Sequence, residues 1–122
     1  MPHLVAWLTF ALGLAHLVFG LVKYKKPLAE AVSAGYVGQF AAPAPEARRT
    51  AFWFVIFGPL LMAAGHVAIH AVAVGDLALL QILGIYVLVT ALAGITAFPK
   101  SPFWAALVLG PWLIAAGYGL GY

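Results

Sequence analysis

Four stretches of this chain run for about twenty residues each without one Asp, Glu, Lys or Arg, and that pattern leaves little choice of fold. They cover about residues 4–22, 50–74, 77–98 and 103–121, each near the ~20 residues a helix needs to cross the hydrocarbon core of a bilayer. In hydrocarbon the backbone must satisfy its own hydrogen bonds, so only helices and closed barrels span it. Barrel strands alternate apolar and polar residues, whereas these runs are continuously apolar. The expected fold is an all-α membrane protein, a single transmembrane domain over residues 1–122 with four transmembrane helices. Composition agrees: 66% of the residues are hydrophobic and 7% charged, against about 25% charged in an average soluble domain.

The few charges set the expected orientation. Lys23, Lys25, Lys26, Arg48 and Arg49 fall in the link 23–49, and Lys100 falls between the third and fourth spans. With four spans these links share a side, and the positive-inside rule makes that side cytoplasmic. Both termini and Asp76 are then outside, in a multi-pass protein of a bacterial cytoplasmic membrane. The first span lacks a basic stretch before it and is followed at once by lysines, which fits a retained span and not a cleaved signal peptide. The net charge of +3 is accounted for by these flanks and implies no nucleic acid partner. There is no Cys, which excludes thiolate nucleophiles and Cys-ligated metals. No cofactor is expected.

The link 23–49 carries its own signals. Residues Pro27 to Ala34 suit a short interfacial helix stopped by Gly35. Ala42-Pro43-Ala44-Pro45 reads as an extended spacer, since proline disfavours helix in the residue before it. Pro45 suits the first turn of the next helix, bringing Glu46, Arg49 and Trp53 near one face.

The spans also repeat, so that the four helices read as two pseudo-repeated pairs. Phe57-Gly58-Pro59-Leu60-Leu61-Met62-Ala63-Ala64-Gly65-His66 parallels Leu109-Gly110-Pro111-Trp112-Leu113-Ile114-Ala115-Ala116-Gly117-Tyr118. Spans 2 and 4 point the same way, which implies an axis along the membrane normal. Each proline frees a carbonyl one turn back, near Val55 and Leu107. Spans 1 and 3 match more weakly at Gly20 and Gly94, a register that pairs His16 with Thr90.

His16 is the sharpest chemical candidate. Thr9, Gly13, His16, Gly20 and Lys23 share one stripe of the first helix, and small or polar residues on a stripe face other helices. An ionisable group within a span marks function, and histidine titrates near neutrality. The plainer reading is an imidazole hydrogen-bonded to Thr90 or to a freed carbonyl. His66 and His70 are spaced to present two imidazoles to one metal, with His3 and Asp76 toward the same outer face; zinc or copper would suit them. A haem between His16 and His66 is excluded, because they differ in depth by roughly 15 Å at ~1.5 Å per residue. Gln81 and Asp76 stand alone.

On the cytoplasmic side Lys23, Tyr24, Glu30, Tyr36, Glu46, Arg48, Arg49 and Trp53 form a mixed-charge aromatic rim. It fits interfacial anchoring. It also fits a mouth through which an amphiphile reaches His16, with Arg49 holding an anionic end.

Gly13-Leu14-Ala15-His16-Leu17-Val18-Phe19-Gly20 and Arg49-Thr50-Ala51-Phe52-Trp53-Phe54-Val55-Ile56-Phe57-Gly58 resemble an uncharacterised bacterial family of small four-span integral membrane proteins, a domain of unknown function. The layout is similar to DoxX-type proteins in architecture only. The resemblance implies a fold and a location and supplies no catalytic residues.

Three functions fit these residues. The first is binding of a lipophilic small molecule in a cavity open to the cytoplasmic leaflet. It extends to an isomerase or cyclase with His16 as acid/base and Thr90 beside it, and with Arg49, Trp53, Phe57, Trp112, Tyr24 and Glu46 around the substrate. The second is a small transporter, working as a homo-oligomer. The third is an accessory subunit of a membrane complex. Membrane lipids are partners in all three.

Overall fold

A computed structural model describes residues 2–41, 43–99 and 103–121, and among them every regular element is an α-helix. The order is α1 (Pro2–Lys23), α2 (Lys25–Ser33), α3 (Glu46–Val74), α4 (Leu77–Ala97) and α5 (Phe103–Gly117). α1, α3 and α4 are long and apolar enough to cross a membrane. α5 has 15 residues, about 22 Å at ~1.5 Å per residue, short of the ~30 Å hydrocarbon core. Lys100, Ser101 and Pro102 of the expected link between the last two spans lie outside the described residues, as does Ala42 of the expected spacer.

Large apolar side chains face outward. Trp7 is 56% exposed, Leu60 63%, Tyr86 70% and Val108 64%, while many buried positions hold alanine. A water-soluble bundle buries its large side chains and exposes polar ones; helices surrounded by lipid place small residues where backbones approach. The exposure pattern is the second kind.

The chain forms two compact units. One comprises Met1–Leu12 and Met62–Tyr122. Its core joins Val5 and Ala6 of α1, Ala68, Ala71 and Val72 of α3, Leu80 of α4, and Leu109, Leu113 and Ala116 of α5. Thr9 is buried there and donates to the Val5 carbonyl at 2.8 Å, which satisfies its hydroxyl without another helix. The other unit, Gly13–Leu61, holds the second half of α1, α2, the following loop and the first half of α3.

The expected short helix is present as α2 and ends at a glycine. Gly35 has φ +106, the Gly35 N–H donates to Val32 at 3.1 Å and the Tyr36 N–H to Ala31 at 2.9 Å, the paired bonds of a Schellman closure. α3 ends the same way at Gly75, with the Asp76 N–H donating to Ala71 at 2.8 Å. Two expectations in the link are corrected. The Pro-Ala segment is folded, not extended: the Ala44 N–H reaches back to the Ala41 carbonyl at 2.8 Å. Pro45 precedes α3 instead of occupying its first turn, its carbonyl accepting from the Arg48 N–H at 3.0 Å.

The internal repeat is a repeat of contacts. A Cβ on Gly58 would stand 2.8 Å from Leu17 Cβ in α1, and one on Gly110 would stand 2.8 Å from the Leu88 nitrogen in α4. Two turns further on, Gly65 lies against the Phe10 backbone, and a Cβ on Gly117 would stand 2.7 Å from the Gln81 nitrogen. Leu17 therefore corresponds to Leu88 and Phe10 to Gln81, at one constant offset. This corrects the register of the first and third spans: Gly13 matches Gly84, Gly20 matches Ala91, and His16 matches Val87, not Thr90.

Candidate functional site

Within the unit Gly13–Leu61, α1 and α3 meet at positions without side chains. A Cβ on Gly20 would stand 2.7 Å from Phe54 Cδ1, so this glycine opens the space that the Phe54 ring fills. His16 lies one turn earlier on the same stripe and is half-buried. Its ring stacks on Phe54 with centroids 4.0 Å apart and planes at 18°, and Phe57 meets it edge-on at 5.3 Å. Its Nε2 lies 2.8 Å from the Phe54 carbonyl oxygen. A carbonyl can only accept, so Nε2 carries the hydrogen and Nδ1 is the acceptor nitrogen.

The partner carbonyl is Phe54, one residue before the Val55 carbonyl that Pro59 leaves without its helical donor. The two carbonyls belong to the same turn of α3, and the one that His16 reaches is Phe54, not Val55. Tyr24 and Phe19 extend the aromatic cluster, with centroids 5.2 and 6.0 Å from Phe54. The Lys23 Nζ lies 5.6 Å from the Phe19 ring and 5.5 Å from the Tyr24 ring, within reach of cation–π attraction.

A second aromatic group belongs to the loop after α2. Tyr36 meets Phe40 edge-on at 5.3 Å, Phe40 lies 5.1 Å from Phe52, and Phe52 lies 5.5 Å from Trp53. With Val37, Gly38 and Ala41 these rings line an open groove of about 470 Å³. The loop is tightly wound: Tyr36 has φ +66, a left-handed conformation that costs a residue with a Cβ roughly 1–2 kcal/mol. At the start of α3, Arg48 Nη1 donates to Gln39 Oε1 at 2.7 Å. Its Nε is buried with no hydrogen-bond partner among the described residues.

The expected site residues divide among these places. His16, Phe57 and Tyr24 come together around Phe54. Trp53 forms a wall of the groove. Arg49 and Glu46 are exposed in the first turns of α3. Trp112 belongs to the other unit, packed against its core, and Thr90 is exposed on α4 in that same unit. The Nε2 partner of His16 is therefore the Phe54 carbonyl, neither Thr90 nor the Val55 carbonyl that Pro59 frees.

The outer residues do not assemble as a metal site. Among the described residues no three His, Cys, Asp or Glu side chains are grouped to hold an ion. His66 and His70 line a shallow surface with Ala63 and Val67, and His3 is exposed. The Asp76 carboxylate is engaged as the N-cap of α4, accepting from the Leu79 N–H at 3.0 Å. Gln81, expected to stand alone, donates through Nε2 to the Gly117 carbonyl at 2.7 Å. Gln39 and Arg48 gave no joint signal in the sequence, since their contact depends on the turns between them.

No curated protein and no solved structure is similar enough to this chain to count as a match. A family model does match, over residues 1–118, which is nearly the whole chain and includes both aromatic groups. The chain belongs to DUF6463, a family of unknown function.

Proposed function

We propose that this is a small integral membrane protein of the bacterial cytoplasmic membrane that binds a lipophilic small molecule at its cytoplasmic face. The observation that carries the reading is the groove walled by Tyr36, Phe40, Phe52 and Trp53. Aromatic walls with a few polar groups nearby suit a largely apolar ligand. In this reading α5 and the turn after it complete a fourth span, and the basic link 23–49 faces the cytoplasm. α2 then lies at the interface and presents the groove to the inner leaflet.

The test is retention of lipophile by the purified full-length chain, followed by extraction and mass spectrometry. Wild-type protein retains a lipophile through exchange into lipid-free detergent, and the Phe52→Ala, Trp53→Ala double variant loses most of it with helicity unchanged. Equal retention by both would overturn the reading. An isomerase or cyclase activity would add proton transfer at His16, and it would run through Nδ1, because Nε2 already donates to Phe54. In that case His16→Ala would abolish turnover and leave retention of the lipophile intact.

A further inference from the structure

Arg48, not the exposed Arg49, has the geometry of a ligand-holding group. Arg48 is half-buried while Arg49 is exposed, so a charge pair at Arg48 is less screened by water. Gln39 Oε1 holds Nη1 at 2.7 Å, which fixes the plane of the guanidinium. In a guanidinium the Nε and Nη2 N–H groups lie parallel, the fork that matches a phosphate or carboxylate. Nε on that edge is buried and has no acceptor among the described residues, and buried donors in native proteins nearly always have one. Arg48 lies one turn before Phe52 on α3, so the two share a face, and Gln39 sits between Gly38 and Phe40; Phe52, Gly38 and Phe40 all line the groove. The surroundings are basic as well: the unit Gly13–Leu61 contains Lys23, Lys25, Lys26, Arg48 and Arg49 against Glu30 and Glu46.

We infer that the groove seats an anionic membrane lipid, its acyl chain along Phe40, Phe52 and Trp53 and its phosphate on the Nε/Nη2 edge of Arg48, with Gln39 as the positioning residue. The inference rests on the reading of the groove as a lipophile site and adds to it the class of ligand and the residue that selects it.

The experiment reconstitutes the full-length chain in mixed phosphatidylglycerol and phosphatidylcholine bilayers and measures the lipid that survives extraction. Wild type is expected to retain phosphatidylglycerol several-fold above its bulk share. Arg48→Gln should return the ratio to bulk while total retained lipophile persists, and Arg49→Gln should change the ratio little. Arg48→Lys, which keeps the charge and loses the fork, should fall in between and serves where Arg48→Gln folds poorly. Equal loss in the two glutamine variants would mean general surface charge and would overturn the inference, as would bulk composition in wild type. Both of those outcomes leave the groove reading standing if lipophile is still retained; absence of any retained lipophile removes both. Displacement of the retained lipid by millimolar inorganic phosphate would show a free-phosphate site and overturn the lipid assignment.

Discussion

At the scale of single residues, polar side chains here tie helices together. His16 donates from α1 to the Phe54 carbonyl of α3, and Gln81 donates from α4 to the Gly117 carbonyl of α5. At the corresponding positions of the other pair stand Val87 and Phe10, so each helix pair carries one such bond at a different level. Bonds of this kind inside a membrane contribute on average about 0.6 kcal/mol and at most about 1.7 kcal/mol. His16→Val should therefore destabilise by an amount in that range, read by reversible unfolding in mixed micelles, and Gln81→Leu by a similar amount. A loss several times larger in His16→Val would mean that the stacked ring, and not the hydrogen bond, holds α1 to α3. Gly65→Ala should do more harm, because the new methyl meets the Phe10 backbone and backbone cannot rotate away. Overpacking of this kind costs roughly 1–3 kcal/mol. Gly119→Ala is the useful contrast: no atom of the described residues lies within 4 Å of the added Cβ, so the cost is set by its φ of +82.

At the scale of elements, the connection between α3 and α4 is specified by two adjacent residues. Gly75 takes the left-handed conformation that ends α3, and Asp76 caps α4. Replacing Asp76 by Ala should cost about 1 kcal/mol, the usual effect of losing a cap, seen as a lower unfolding midpoint. An unchanged midpoint in Asp76→Ala would mean that the cap contributes nothing measurable to stability. These turns were legible in the sequence because glycine and aspartate act locally, and the long helices were legible because hydropathy accumulates over many residues. The contact register was harder. Gly20 and Gly94 suggested one alignment of the first and third spans. Leu12-Gly13, Leu17-Val18 and Leu21 against Leu83-Gly84, Leu88-Val89 and Leu92 carry the register that the packing uses. That match was present in the sequence, but a glycine signals a close approach without naming the residue that approaches it. The groove was hidden for a different reason: it is built by the turns from Gly35 to Ala41, and the spacing of Phe40 and Phe52 does not reveal that those rings meet.

At the scale of the whole molecule, the number of crossings decides where each face of the protein points. α1, α3 and α4 suffice in length for a bilayer, and α5 is shorter. A short apolar helix is accommodated by local thinning of the bilayer or by flanking residues that reach the interface, at modest cost. Tyr118 and Trp104 near its ends are suited to that role. Because the chain contains no Cys, single cysteines can report the topology against a silent background. A cysteine at Ser33 in α2 should react with a membrane-impermeant maleimide only after the cytoplasmic side is opened. One at Asp76 should react from outside in intact cells. Leu120, beyond the end of α5, is the deciding position. Four crossings place it outside with Asp76, whereas three crossings and a surface-lying α5 place it with Ser33. Labelling of Leu120→Cys in intact cells is expected; protection until the membrane is opened would leave α5 on the cytoplasmic side. It would also end the equivalence of the two helix pairs as membrane-crossing units, even though their glycine contacts are the same.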